Sequence, residues 1–121
     1  MTKKPLPCPS EHQEQVAFVQ WFRLQFPKVL IFAIPNGGQR NKIVAAKLKR
    51  EGTISGVPDL YSPYFNLWIE MKRVKGGSLS KNQKEVIEFL EHSCGHVVII
   101  AKGWKDGAKQ VMQFLEKSNY V

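Results

Sequence analysis

The sequence has no apolar run that approaches the ~20 residues needed by a membrane-spanning helix. Its first ten residues, MTKKPLPCPS, are basic and rich in proline, and they lack the apolar stretch of a secretory signal. Cysteine is scarce, since Cys8 and Cys94 are the only two and cannot form a disulfide framework. These absences argue against a membrane protein or a disulfide-stabilised secreted domain, and they favour a reducing, cytoplasmic location.

Acidic residues are also in short supply. Ten Asp and Glu stand against 18 Lys and Arg, which gives a net charge of +8. A basic surface of this kind is expected of a protein that binds phosphates, although charge also serves solubility alone. At 121 residues, with 43% hydrophobic and 23% charged residues, the chain suits one globular domain. The few acids in this background are therefore the residues whose placement most needs a reason.

Turn and capping signals divide the chain into an arm and one domain. Residues 1–9 contain three prolines and are expected to form a flexible N-terminal arm, and residues 10–121 are expected to form a single domain. Helix starts are predicted at Ser10 and Ser80, where Gln13 and Gln83 complete capping boxes. The predicted helices cover 10–26, 40–51, 80–93 and 105–118, and the predicted strands cover 28–35, 58–63, 66–72 and 96–101.

This order of elements, α-β-α-β-β-α-β-α, predicts an α/β domain with a mixed sheet flanked by helices. The helix predicted over 40–51 is basic and amphipathic. We expect Val44 and Leu48 to face the protein interior while the lysines and arginine around them remain in solvent.

One stretch, GVPDLYSPYFNLWIEMK, places charges in strands that should be half buried. Side chains alternate along a strand, so Glu70 and Lys72 face one side and Met71 faces the other. Asp59 begins the preceding strand and approaches Glu70 if the two strands pair as a hairpin. Because buried carboxylates are costly unless paired or metal-bound, two of them together suit Mg²⁺ or Mn²⁺. Lys72 is then placed to assist an attacking water or to offset charge in a phosphoryl transition state.

Pro58-Asp59 followed by Glu70-Met71-Lys72 has the PD-(D/E)xK pattern of a nuclease superfamily, and the chain resembles the VRR-NUC (virus-type replication-repair nuclease) family over nearly its whole length. Its compact form resembles the phage and bacterial members. The resemblance implies a restriction-endonuclease-like fold. It is carried by Glu11-x-x-x-Gln15, Pro35-Asn36-Gly37-Gly38, Lys47-Leu48-Lys49-Arg50-Glu51-Gly52, Gly56-Val57-Pro58-Asp59-Leu60, Ile69-Glu70-Met71-Lys72, Ser80-x-x-Gln83 and Gly103-Trp104.

The resemblance also implies a role for each residue of the core motif. Asp59 and Glu70 would bind Mg²⁺ or Mn²⁺, the carbonyl of Met71 would be a further ligand, and Lys72 would be the catalytic lysine. For Asp59 a turn aspartate is the simpler alternative, and for Glu70 and Lys72 it is an ordinary ion pair on an exposed strand.

Two further site residues are implied from outside the hairpin. A glutamate on the first helix would complete the acidic site, and Glu11 fits that place best, with Glu14 as the second candidate. Gln83 would reach back to the metal or the scissile phosphate. Each has a structural alternative, because Gln83 belongs to a capping box and Glu11 lies in a first helical turn, where the helix dipole favours a carboxylate.

The implied activity is that of an endodeoxyribonuclease, which hydrolyses phosphodiester bonds in branched DNA such as Holliday junctions and acts as a homodimer in DNA repair. A non-catalytic DNA-binding module on the same fold, or a general nickase or flap nuclease, are the alternatives. Neither a membrane nor a small-molecule cofactor is implied. The residues expected to hold the DNA backbone are Arg40, Lys42, Lys47, Lys49, Arg50, Arg73 and Lys75, with Asn36 as a turn former or a further contact.

The segment His92-Ser93-Cys94-Gly95-His96 offers a different kind of site, because it places three nitrogen or sulfur ligands within five residues. Its spacing is not of the paired-cysteine type that zinc sites show, and Gly95 favours a simple turn between a helix and a strand. The sequence therefore favours the acidic site over a zinc site.

Overall fold

The structure is a computed structural model that describes residues 7–35 and 41–119. The described residues form an α/β domain. No helix among them is both long and apolar enough to cross a membrane. The helices are α1 (Glu11–Gln25), α2 (Lys42–Arg50), α3 (Lys81–Glu88, continued by a π-helical turn over Phe89–Ser93) and α4 (Trp104–Lys117), and the strands are β1 (Phe32–Ala33), β2 (Leu60–Ser62), β3 (Leu67–Lys72) and β4 (Val97–Lys102).

The four strands form one mixed sheet in the order β1-β2-β3-β4. β2 and β3 pair as the predicted antiparallel hairpin, and β4 returns parallel to β3 after the α3 crossover. The predicted element order and the mixed α/β sheet are confirmed. The strand predicted over 28–35 is much shorter in the structure, because only Phe32 and Ala33 pair with β2.

The predicted alternation along β3 decides which residues enter the main core. Leu67, Ile69 and Met71 are fully buried on one face, against α1 and α4. Phe18 and Phe22 of α1 are likewise fully buried in this core. The opposite face of β3 carries the charged residues and lies beside the start of α3, so the sheet places its polar chemistry away from the main core.

The capping boxes predicted from the sequence are present at both helix starts. The Ser10 hydroxyl accepts the Gln13 N–H at 3.1 Å, and the Gln13 side chain accepts the Ser10 N–H at 2.9 Å. Ser80 and Gln83 make the same reciprocal pair. These pairs satisfy backbone donors that a helix start otherwise leaves free.

The prediction that Val44 faces the interior is wrong, because its side chain is 41% exposed. Leu48 is only half-buried, and α2 makes no extensive contact with another described helix or strand. A cleft of about 760 Å³ separates α2 from α3, with Leu48 on one side and Val86 on the other. The helix therefore stands away from the core that was expected to bury it.

Candidate active site

The β2–β3 hairpin brings two carboxylates together. Leu60 pairs with Ile69, so Asp59, one residue earlier, lies beside Glu70, one residue later. A carboxylate oxygen of Asp59 accepts the backbone N–H of Met71 at 2.7 Å, which fixes the aspartate against β3. The proximity expected of Asp59 and Glu70 is thus present, and Asp59 is not a free turn residue.

Glu70 is the most perturbed acid of this site. Its side chain is only 2% exposed. The pKa of Glu70 is raised to about 8, chiefly by burial and then by the neighbouring charge and hydrogen bond of Asp59, against a smaller lowering by Lys72. A buried carboxyl whose ionisation is opposed by a neighbouring acid is the arrangement that a divalent cation relieves.

Lys72 lies on the same face as Glu70 and is also buried. Its ammonium donates to the Gln83 side-chain oxygen at 3.2 Å. The Gln83 side-chain nitrogen donates to a Glu70 carboxylate oxygen at 3.2 Å. The side chain of Gln83 therefore links the carboxylate of Glu70 to the ammonium of Lys72.

Gln83 performs its capping role at the same time. Its side-chain oxygen accepts the backbone N–H of Ser80 at 2.9 Å as well as the Lys72 ammonium. The carbonyl oxygen has two lone pairs, so it can accept both donors. The two interpretations of Gln83 that the sequence left as alternatives are therefore compatible, and the capping box is what aims this residue at Glu70.

The two glutamates of α1 have different surroundings. Glu14 is buried, and its carboxylate accepts the backbone N–H of Trp104 at 3.1 Å, so it anchors the start of α4. Glu11 is exposed, and its charge contributes to the raised pKa of Glu70. This geometry favours Glu11 over Glu14 as the nearer acid, and it gives Glu14 a structural role that no sequence signal indicated, because its partner lies 90 residues away.

Asp59 and Glu70 supply hard oxygen donors of the kind that Mg²⁺ and Mn²⁺ prefer. No group of three His, Cys, Asp or Glu side chains that could hold a metal occurs within residues 7–35 and 41–119. A cation at this pair would thus need further oxygens from backbone carbonyls, water or substrate, as is usual for Mg²⁺. The donor set fits such a cation, and the Asp59 charge that opposes ionisation of Glu70 supplies the reason to bind one.

The side chains of the His92–His96 segment do not come together as zinc ligands. His96 accepts the indole N–H of Trp68 at 3.0 Å through Nδ1, and Tyr61 stacks on Trp68 with ring centres 4.2 Å apart. His92 and Cys94 are exposed. His96 thus joins an aromatic group on the sheet face that also carries Glu70.

A close backbone contact that the sequence did not reveal joins the loop before Asp59 to the start of α3. Gly56 has a φ of +94°, and a Cβ there would lie 2.6 Å from the backbone carbon of Asn82 and 2.9 Å from the backbone nitrogen of Gln83. Only glycine allows the loop to approach α3 this closely. The glycine is visible in the sequence, but its partner is not, because 26 residues separate it from Asn82.

The residues expected to hold DNA lie on two exposed segments. One is α2, and the other follows β3. Asn36 and Arg40 lie outside the described residues. The described members are Lys42, Lys47, Lys49 and Arg50 on α2, and Arg73 and Lys75 after β3, and all six are exposed.

Comparison with solved structures identifies a similar fold. The chain superposes on a protein described as a VRR_NUC domain protein with a TM-score of 0.70, at 26% sequence identity, over 91% of each chain. No family model matches the sequence, and no curated protein matches it. The similarity extends through almost all of both chains. The fold of this chain is that of a VRR-NUC domain.

Proposed function

We propose that the protein is a metal-dependent endodeoxyribonuclease whose catalytic residues are Asp59, Glu70 and Lys72. The observation that carries the proposal is the buried Glu70 beside the half-buried Asp59, with the buried Lys72 on the same face as Glu70, on a VRR-NUC fold. A buried acid whose ionisation is hindered by a neighbouring acid, beside a buried lysine, is poorly explained by stability alone. Phosphodiester hydrolysis uses all three.

Asp59 and Glu70 would hold Mg²⁺ or Mn²⁺, with the Met71 carbonyl as a further ligand. Glu11 does not form a three-acid group with them, and it would contribute its charge from the edge of the site. When bound, the cation supplies Lewis-acid activation of the scissile phosphate. Lys72 would contribute a fixed positive charge next to the reacting phosphate, where it orients the attacking water and stabilises the negative charge that develops. Gln83 keeps Lys72 and Glu70 at a constant separation and leaves Lys72 with two further N–H donors.

DNA is the proposed substrate because exposed basic residues lie on the two segments that adjoin this site along the chain. The segment after β3 continues directly from Lys72, and α2 precedes the loop that ends at Asp59. Contacts to the DNA backbone would come from lysine and arginine, so binding should weaken steeply as salt is raised. We further propose branched DNA, Holliday junctions included, as the preferred structure and a homodimer as the active form. Two-fold symmetry would then present two sites to opposing strands.

A panel of end-labelled DNAs tests the proposal. Four-way junction, flap, nicked duplex and linear duplex are incubated with the wild type, Asp59→Ala and Lys72→Ala, with Mg²⁺ or with EDTA. We expect wild-type cleavage of the branched substrates in Mg²⁺, none in EDTA, and none by either variant although both still bind DNA. Cleavage that survives in either variant would contradict the mechanism. Binding without cleavage under Mg²⁺ or Mn²⁺ would instead favour a non-catalytic DNA-binding module.

A further inference from the structure

Helix α2 is a strongly cationic element with a defined start. Asn41 caps it by accepting the Val44 backbone N–H at 2.8 Å. Its nine residues contain three lysines and one arginine and no acidic residue. An isolated helix of this length is marginal in water. Because α2 has no extensive contact with another described helix or strand, a partner outside the described residues would stabilise it.

The exposed face of α2 is apolar at its first turn. Ile43 is 82% exposed, and Lys47 and Arg50 follow it at the i+4 and i+7 positions, so the three side chains share one face. The cleft towards α3 is lined instead by Ala45 and Leu48, which lie on another face of α2. One exposed face of α2 thus carries an isoleucine at its first turn, followed by a lysine and an arginine at the next two turns.

We propose that α2 is a wedge that places Ile43 against unstacked bases at the branch point of DNA while Lys47 and Arg50 bind the adjacent phosphates. The inference rests on the proposed function, since it names how the same substrate is recognised. Apolar side chains inserted at base steps, flanked by basic residues, are an established way for proteins to hold opened DNA. A branch point already has unstacked bases, so insertion there costs less than in intact duplex.

Charge decides between DNA and a second copy of this chain as the occupant. A symmetric contact through this face would bring two helices with four cations each against one another. Like charges at such a contact oppose association, whereas the same cations attract phosphate. DNA is therefore the partner that can contact both Ile43, through its bases, and Lys47 and Arg50, through its phosphates.

One DNA molecule can reach both α2 and the catalytic residues. Gly52 closes α2 seven residues before Asp59, which limits the distance between Gly52 and Asp59 to roughly 25 Å even for a fully extended chain. Ile43 lies nine residues before Gly52, and the helical rise adds roughly 14 Å. Ile43 and Asp59 are therefore at most about 40 Å apart, which corresponds to about twelve base steps. The contact of Gly56 with α3, and the hydrogen bond of 3.3 Å from Asn82 to Ser55, hold the connecting loop against the site.

Matched exposed apolar residues allow a controlled test. Ile43→Gln is compared with Leu24→Gln, because Leu24 is 84% exposed but lies on α1. Binding is measured in EDTA to a four-way junction with 2-aminopurine at the branch and to a linear duplex of equal length. We expect Ile43→Gln to weaken junction binding roughly fivefold or more, as loss of a base contact does, and to abolish the rise in 2-aminopurine fluorescence. Duplex binding should change less than about twofold, within the range of a surface substitution, and Leu24→Gln should match the wild type on both DNAs.

A charge variant separates the wedge from the phosphate contacts. Lys47→Gln should weaken binding to junction and duplex alike and should lower the salt slope by about one unit. Ile43→Gln should leave the salt slope unchanged. The pair of results would assign positioning to the lysine and branch selectivity to the isoleucine.

Several results would overturn the inference. It fails if Ile43→Gln behaves like Leu24→Gln, or if it weakens duplex and junction binding equally. It also fails if light scattering shows that Ile43→Gln converts a dimer to a monomer, because the face would then belong to a second copy. If the wild type cleaves DNA but the Ile43 and Leu24 variants bind junction and duplex as it does, only the wedge is overturned. If the wild type neither binds nor cleaves DNA, the proposed function is overturned as well.

Discussion

At the scale of single residues, the side chain of Gln83 makes three hydrogen bonds that join the start of α3 to the proposed catalytic residues. Its side chain accepts from Ser80 and Lys72 and donates to Glu70. The two reciprocal bonds of the capping box hold Gln83 at the start of α3. The cap therefore positions the side chain of Gln83 against Glu70 and Lys72 without a separate support.

Comparing Gln83→Ala with Ser80→Ala separates capping from positioning. Both changes remove capping bonds, and each should cost roughly 1 kcal/mol of stability. Only Gln83→Ala disconnects Glu70 from Lys72, so it should lower single-turnover cleavage about 100-fold, as small misplacements of reacting groups do. Ser80→Ala should retain cleavage within a few-fold of the wild type. Equal losses of activity in the two variants would show that Gln83 acts only through the helix.

The raised pKa of Glu70 predicts how the metal-free protein responds to pH. In the unfolded chain Glu70 ionises near its ordinary pKa of 4.5, whereas the folded protein retains the proton up to about pH 8. The stability contributed by the protonated carboxyl is therefore complete below pH 4.5 and is lost as the pH rises towards 8. Glu70→Gln cannot ionise and should not lose this stability.

Urea unfolding in EDTA at pH 5, 6.5 and 8 checks this prediction. The free energy of unfolding of the wild type should fall relative to Glu70→Gln as pH increases. At pH 8, added Mg²⁺ should restore stability to the wild type and not to the variant, because ligand binding to the folded state stabilises it. If the free energy of unfolding changed with pH in the same way for both proteins, it would contradict the raised pKa of Glu70.

At the scale of elements, the loop between α2 and β2 is fixed to the start of α3. Gly56 allows backbone to approach backbone, and Asn82 donates to the Ser55 hydroxyl. The same loop ends at Asp59, and the same turn of α3 carries Gln83. Asp59 and Gln83 are thus aligned by one contact between two elements.

Gly56→Ala and Gly52→Ala test that contact. Both glycines have positive φ, so an alanine at either position is strained by roughly 1–3 kcal/mol. A Cβ at Gly52 meets nothing within 4 Å, whereas one at Gly56 collides with the α3 backbone. Gly56→Ala should therefore cost about 1–3 kcal/mol more, as overpacking does, and should also lower cleavage. Chemical denaturation and single-turnover rates measure the two effects, and equal destabilisation by both changes would contradict the close contact.

The elements also show what local sequence patterns can predict. Capping boxes and the β2–β3 hairpin were predictable because their signals lie within a few residues of one another. The amphipathic pattern of α2 predicted a buried face that the structure does not have, because periodicity indicates which residues share a face and not whether another element covers it. β1 is short for a related reason, since a strand extends only as far as its neighbour pairs with it.

At the scale of the whole molecule, the core of the site was predictable and its supports were not. Alternation along β3 placed Glu70 and Lys72 together, and the short hairpin placed Asp59 beside them. The role of Glu14 at the start of α4 depends on a contact across 90 residues, for which one sequence carries no local signal. A long-range contact of this kind decides which of two nearby glutamates anchors another helix.

The homodimer is the prediction that belongs to the molecule as a whole. Paired cuts on opposing strands of a junction require two sites related by symmetry. Light scattering of the purified protein at micromolar concentration should give the mass of two chains, with and without Mg²⁺. A single-chain mass under both conditions, together with single-strand nicking of junctions, would contradict paired cleavage and would favour a nickase.

The most direct test of the central claim is the single-turnover rate of Mg²⁺-dependent cleavage of branched DNA by the wild type and by Lys72→Met, which keeps the length of the buried side chain and removes its charge. The comparison is made at saturating protein, so that DNA binding does not limit either rate. We predict cleavage by the wild type, and a loss of at least about 100-fold in the variant, since removal of one electrostatic contact to a transition state costs that much. A variant that cleaves as fast as the wild type would contradict the assignment of this site.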